Sequence, residues 1–249
     1  MIGLLYKTYQ LLVCVPVMSL ATVVTGLMTV VLCSVGDAAY WGYVLPKWWA
    51  RLMCRMPLLP VVVEGAERIE KGTSYVFVAN HQGPYDIFLV YGYLGHSFRW
   101  LMKRELESVP LLGTACRKAG HIMVDKRGPK AIARTQNAAR EALREGASIV
   151  VFPEGSRTFC GHMARFRRGP FMLGHELRLP VVPVTIDGSF DVLPRQRGFG
   201  FLSFHRLRLV IHDPIPYRDD LTSVMVEAYE VIERDLPVEY QGFVENPDQ

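Results

Sequence analysis

Two short clusters in this 249-residue chain hold side chains whose types and spacing could do chemistry. The first is Asn80-His81-Gln82-Gly83-Pro84-Tyr85-Asp86. A neutral imidazole, with an ordinary pKa near 6.5, can take a proton from a hydroxyl. A carboxylate on the other ring nitrogen fixes the tautomer and stabilises the imidazolium that forms. His81 and Asp86 fit that pair if His81 lies in a turn and Asp86 in the first turn of a helix; in one extended strand they would stand about 16 Å apart. The spacing alone is weak evidence, because H-x4-D is frequent by chance and a histidine near a helix-start aspartate is a common surface arrangement.

The second cluster is Pro153-Glu154-Gly155-Ser156-Arg157-Thr158, an acceptor and a planar bidentate donor on a glycine-containing turn. Arg165, Arg167 and Arg168 follow before Gly169. Arginine suits two-point recognition of phosphate or carboxylate. Residues 99–130 add eight basic side chains against three acidic ones, among them Lys103, Arg104, Lys126 and Arg127. A solvated basic face or a nucleic-acid surface would also explain them. With no RNP pattern, zinc finger or recognition-helix signature, an anionic small molecule or lipid headgroup is preferred over nucleic acid. There is no G-x-S-x-G elbow, H-E-x-x-H, P-loop or G-x-G-x-x-G, and Gly198-Phe199-Gly200 is an isolated G-x-G. A basic site with a His–Asp base and no nucleophile points to direct transfer onto a substrate hydroxyl.

The elements that must position these clusters read as an α/β fold. β-rich runs at 61–64, 75–79, 148–152, 181–186 and 206–212 alternate with helical stretches at 84–93 and 129–145, the pattern of a mostly parallel central sheet flanked by helices. Pro84 and Asp86 suit a helix start, and Gly146 a helix end. Both clusters follow a strand, and ligands of parallel sheets bind beyond the strands' carboxyl ends. If the two strands are parallel neighbours, the clusters face one cleft. A further helix at 219–235, apolar at Leu221, Val224, Met225, Ala228, Val231 and Ile232, is expected to pack on this domain.

The beginning of the chain has a different character. No charged residue occurs between Lys7 and Asp37, and residues 11–35 exceed the roughly 20 needed to cross a bilayer as a helix. A signal peptide is disfavoured, since its apolar core is usually about 7–15 residues and no small-x-small cleavage site is evident. Pro16 and Gly26 leave one span and a bent or re-entrant pair both open. Next come Lys47, Arg51 and Arg55 at four-residue spacing beside Trp41, Leu45, Trp48 and Leu52, a basic amphipathic helix suited to an anionic lipid interface. The division expected is membrane-embedded and interfacial helices over 1–58 and an α/β domain over 59–249. Composition agrees: half the residues are hydrophobic, 21% are charged and mean hydropathy is +0.15, which excludes a disordered or fibrous chain. The five cysteines, odd in number and without metal spacing, read as reduced thiols. Residues 213–249 hold ten acidic and two basic side chains, which leaves the preceding body at +12.

In order and approximate spacing, the stretches NHQGPYD, KRELESVPLLG, VFPEGSRT and VVPVTI resemble the membrane glycerolipid acyltransferases. The resemblance, over about residues 60–215, is to the 1-acyl-sn-glycerol-3-phosphate (lysophosphatidic acid) acyltransferase family. It implies transfer of a fatty acyl group from acyl-coenzyme A or acyl carrier protein, as co-substrate and with no cofactor, to the free hydroxyl of lysophosphatidate, giving phosphatidate. His81 would be the general base and Asp86 its orienting partner. Glu154, Gly155, Ser156 and Arg157 would hold the acceptor, Ser156 standing where the family often has Thr. Lys103 opens the second motif. Where the family usually has Arg directly after Asp, Lys126 takes that place and Arg127 follows, either one the phosphate contact, and Arg168 replaces a common Lys. The oxyanion donor stays open between backbone N–H groups and Lys103, and no metal-ligand set is evident. The expected location is a membrane, at its cytoplasmic face, with N-terminal anchoring. Two alternatives stay open: a same-superfamily enzyme acting on glycerol-3-phosphate, another lysophospholipid or a lyso-ornithine lipid, and a non-catalytic protein that binds anionic lipid.

Overall fold

A computed structural model describes residues 2–124, 128–144, 146–198 and 200–244. The chain opens with α1 (Ile2–Tyr9), a π-helical segment Gln10–Cys14 and α2 (Val15–Val35), a helical run without a break. Gly3–Val35 is long and apolar enough to cross a membrane, and only 6% of its most apolar window is buried in the protein. Pro16 does not break this run; it stands two residues beyond the π-helical segment. At Gly36 the chain turns back, and Asp37 caps α3 (Ala38–Arg55) by accepting from the N–H groups of Ala39 and Tyr40.

Helix α3 packs antiparallel along α2, with Trp49 Nε1 donating to Thr22 Oγ1 at 2.9 Å. Nearer the chain start, Tyr6 and Tyr9 hydroxyls donate to the carbonyls of Pro57 and Met56. The apolar helix therefore lies along the protein, one face packed and the opposite face exposing a row of Leu and Val. Of the basic residues of α3, Arg51 donates to Gly92 O at 2.8 Å and stacks on Trp48 and Tyr93. Arg55 is exposed.

The rest runs β1 (Val61–Glu64), β2 (Val76–Ala79), α4 (Tyr85–Tyr93), β3 (Phe98–Lys103), α5 (Leu112–Lys118), β4 (Ile122–Val124), α6 (Pro129–Arg144), β5 (Ser148–Val151), α7 (Arg168–Glu176), β6 (Val181–Asp187), α8 (Ser189–Val192), β7 (Leu207–Ile211) and α9 (Leu221–Arg234). The strands form one seven-stranded sheet ordered β1-β7-β6-β2-β5-β3-β4. Every pairing is parallel except β6–β7. Helices cover both faces, so the fold class is the mostly parallel α/β architecture that the sequence implies.

Period-two alternation divides the core. Along β2, Phe77 and Ala79 face the layer that includes Ala50 and Cys54 of α3 and Leu89 of α4, while Val76 and Val78 face the layer of Ala139 on α6, Phe171 on α7 and Ala228 on α9. Strands β3 and β4 and helices α5, α7 and α8 were not evident in the sequence. The tail helix packs as expected, with Leu221, Val224, Ala228 and Ile232 buried. On α4, Tyr91 hydroxyl donates to Gly42 O of α3 and meets His121 Nε2 at 2.6 Å, while His121 Nδ1 accepts from Trp100 N. Burial holds His121 down at about 3, so it serves as a neutral strut between layers.

Candidate active site

The central strands β2 and β5 are parallel neighbours, with Val78 opposite Val151. The two clusters therefore leave adjacent strands at the same carboxyl edge. After Ala79 the chain turns through Asn80–Gly83 and enters α4 at Tyr85, which brings Asp86 back under His81. His81 Nδ1 lies 2.6 Å from Asp86 Oδ2, and the same oxygen accepts from Gly83 N at 2.9 Å. Asp86 is fully buried, while the His81 side chain keeps 16% exposure. A buried, hydrogen-bonded carboxylate on Nδ1 selects the tautomer that carries its proton there and leaves Nε2 as the basic nitrogen.

Three features around this pair were not read from the sequence. Phe152 stacks flat on the His81 ring, with centroids 3.9 Å apart and an 8° interplanar angle, and Trp100 stacks behind Phe152 at 5.5 Å. An aromatic face favours a cation above it, so an imidazolium at His81 gains from Phe152. Asn80 is the second feature: its Nδ2 donates to Ile186 O at 2.8 Å and its Oδ1 accepts from Ile186 N at 2.7 Å, stitching the end of β2 to β6. The third is a set of buried polar atoms without a hydrogen-bond partner among the described residues, namely both amide atoms of Gln82, Asp86 Oδ1 and Ser189 Oγ. Phe152 ends a strand legible in the sequence, but Trp100 lies on β3, which is not; nothing in the sequence marked Asn80 beyond its place before His81.

Glu154 joins the second cluster to the first. Its Oε1 accepts from His81 N at 2.7 Å and its Oε2 from Ala164 N at 2.8 Å. Burial raises the Glu154 carboxyl to about 8 despite these bonds. Thr158 N donates back to His81 O at 2.8 Å. Glu154 thus buttresses the turn that carries the histidine. Gly155 follows with φ +80°, and a Cβ there would sit 2.8 Å from Arg167 Nε. The left-handed backbone angle is what favours glycine there, since the Arg167 side chain could move aside from a Cβ.

Of the remaining expected ligands, Ser156 and Arg157 continue the turn and are half-buried, Arg157 O accepting from Arg195 Nη1 at 3.3 Å. Lys103 is exposed at the end of β3, beyond β5 from His81 but at the same carboxyl edge. Lys126 and Arg127 lie outside the described residues. Arg168 starts α7 and lines a separate cavity of about 230 Å³ with Met172, His175 and Asp219. Its neighbour Arg167, whose N–H donates to Pro153 O at 2.9 Å, is the arginine that approaches the turn at Gly155. A larger cavity of about 610 Å³, bounded by Arg99, His121 and Arg134 among others, does not include His81, Asp86 or Glu154.

Comparison with known proteins supplies a family. A family model described as Acyltransferase matches residues 60–187. A chloroplastic 1-acyl-sn-glycerol-3-phosphate acyltransferase of Arabidopsis thaliana is 30% identical over 172 residues, 69% of this chain and 48% of that protein. The alpha 1-acyl-sn-glycerol-3-phosphate acyltransferase of Ovis aries is 36% identical over 159 residues, 63% of this chain and 54% of that one. The chain spans about half the length of the curated relatives it matches. A crystal structure of a 1-acyl-sn-glycerophosphate acyltransferase from Thermotoga maritima superposes with a TM-score of 0.67 at 23% identity, covering 87% of this chain and 95% of that one, a likeness of fold.

Proposed function

The chain belongs to the acyltransferase family, and from that membership we propose that it moves a fatty acyl group from acyl-coenzyme A or acyl carrier protein to the free hydroxyl of a 1-acyl-glycerol-3-phosphate, forming phosphatidate for phospholipid biosynthesis. The observation that carries this reading is the His81–Asp86 pair at 2.6 Å, set beside the Glu154–Arg157 turn at one edge of the sheet. Relatives whose names state that activity, at 30–36% identity, support the choice of acceptor.

His81 Nε2 removes the hydroxyl proton as the oxygen attacks the thioester carbonyl. The Nδ1–H to Asp86 holds the ring and stabilises the imidazolium. When the tetrahedral centre collapses, the C–S bond breaks and the thiolate leaves, taking the proton from His81. No acyl-enzyme is formed. The acceptor phosphate is held by Arg157 and Lys103, while Glu154, Gly155 and Ser156 shape the turn. An oxyanion is met by backbone N–H groups or by Lys103.

Both substrate and product carry long acyl chains and stay in the bilayer, each buried CH₂ contributing about 0.8 kcal/mol. Residues 1–58 anchor the enzyme, with the outward apolar face of Gly3–Val35 toward lipid, and the α/β part over 59–249 works at the cytoplasmic surface. The test is phosphatidate formation in vesicles from lysophosphatidate and either donor, wild type against His81→Ala. Thioester-dependent product that disappears in the variant supports the reaction and the base. A wild type inactive with both donors moves the assignment to another lyso-acceptor. A fully active His81→Ala protein rejects the role given to His81.

A further inference from the structure

Gln10 sits in the π-helical segment and is 3% exposed, an amide buried beside an otherwise apolar helix. Its Nε2 donates to Leu202 O at 2.9 Å and its Oε1 accepts from Leu202 N at 2.8 Å. A side chain here pairs with backbone 192 residues away in the way one strand pairs with another. The clamp fixes the loop between α8 and β7 against the start of the chain. Two ring contacts accompany it: Tyr6 meets Phe204 edge-on at 6.3 Å, and Lys7 Nζ lies 5.8 Å from the Phe201 ring centre.

Phe201 and Phe204 nevertheless keep 44% and 62% of their surface exposed. Leu4, Leu5, Leu11 and Leu12 of the helix that holds this loop are also exposed. Arg197 and Arg206 on the same loop are exposed as well. Exposed phenylalanines flanked by arginines, docked on an apolar helix through Tyr6 and Gln10, have the composition of a segment seated at an anionic lipid interface. At its other end the loop reaches the site: Arg195 Nη1 donates to Arg157 O, and Gln196 Nε2 donates to Phe159 O.

We propose that Phe201 and Phe204 form a second lipid-contacting element, inserted at the boundary of an anionic membrane and clamped to the N-terminal helix by Gln10. The proposal rests on the reading that this helix faces lipid. It gives the loop a purpose: the turn bearing Arg157 is tied to the bilayer surface from which an acceptor lipid is drawn.

The test places photoreactive benzoylphenylalanine at 201, 204, 12 or 226 of the full chain in phosphatidylethanolamine–phosphatidylglycerol vesicles, with adducts identified by mass spectrometry after irradiation. Val226 lies on α9, packed on the opposite face of the sheet from α3. Lipid adducts at 201 and 204 matching those at 12, and on the order of tenfold above those at 226, are expected. Yields at 201 and 204 that stay at the level of 226, while 12 crosslinks well, overturn the proposal alone. If 12 also stays at that level, the lipid-facing helix and the proposal fail together. Adducts to a second copy of the chain instead of lipid also overturn it. None of these readouts depends on which acyl acceptor the enzyme uses.

Discussion

The backbone N–H of His81 donates to Glu154 Oε1 at 2.7 Å, and this bond joins two turns that are 73 residues apart. Because Glu154 Oε2 simultaneously accepts from Ala164 N, Glu154→Gln replaces one acceptor by an NH₂ group and leaves a buried N–H facing a donor. The expected cost is about 1–3 kcal/mol of stability, with a fall in kcat as the histidine turn loosens. The pH dependence has a definite sign. Burial holds the folded carboxyl at about 8 against an ordinary 4.5, so between those values the folded protein keeps a proton that the unfolded chain has lost. Wild-type stability from this group is greatest on the acid side, falls as pH rises to about 8 and is level above that. Denaturant unfolding across this range checks the slope, and Glu154→Gln should flatten it. A variant with wild-type stability, slope and kcat would remove the buttress from the argument.

Asp86→Asn keeps size and burial but offers His81 a neutral partner that no longer stabilises an imidazolium and can present N–H to Nδ1. The wrong tautomer then follows, as in the handling of a triad aspartate by amide substitution. Loss of about 10²–10⁴ in kcat is expected, with KM for the acceptor little changed. Initial rates against lysophosphatidate separate the two parameters, and an unchanged kcat would deny Asp86 an orienting role.

Much of this arrangement was legible in the sequence, and the remainder has physical reasons for being hidden. Strands such as Val76–Ala79 and Ser148–Val151, buried at every position, read as runs of apolar residues rich in valine. Strand β3, FRWLMK, mixes charge with large side chains because it ends exposed at Lys103, and β4 has three residues, too few for any period to show. His81 and Asp86 were readable because five residues and a proline-led helix start bring them together locally. Glu154 was expected to hold the acceptor, yet its two oxygens are bonded to His81 N and Ala164 N; partners that meet through tertiary contact leave no spacing to read. The same holds for Asn80 with Ile186 and for Gln10 with Leu202.

Asn80 makes the prediction that depends most on geometry. Asn80→Ala removes a donor and an acceptor at once and leaves Ile186 N–H and C=O buried without those partners. Each lost partner costs about 1–3 kcal/mol, so a drop of roughly 2–6 kcal/mol is expected, with reduced activity because His81 is the next residue. Asn80→Asp keeps the acceptor for Ile186 N but sets a carboxylate oxygen against Ile186 O, and is expected to be at least as damaging. Thermal unfolding of both variants in detergent measures this. Wild-type midpoints would show that β2 and β6 hold their register without the amide.

Arg157 should reveal itself in binding rather than in the chemical step. A guanidinium offers a phosphate two parallel N–H donors, while an ammonium offers a point charge. Arg157→Lys therefore keeps the charge and loses the fork. A rise in KM for lysophosphatidate of about tenfold, or roughly 1.4 kcal/mol, is expected with kcat held within a factor of about three. Because the residue is half-buried on a turn braced by Arg195, its own pairing with phosphate should resist salt better than the attraction from exposed Lys103. Raising ionic strength should consequently increase KM less for Lys103→Ala than for wild type, while Arg157→Lys keeps the wild-type salt slope. Kinetics in mixed micelles at fixed donor concentration give both quantities. If Arg157→Lys lowers kcat and leaves KM alone, the arginine acts on the transition state and not on the bound headgroup.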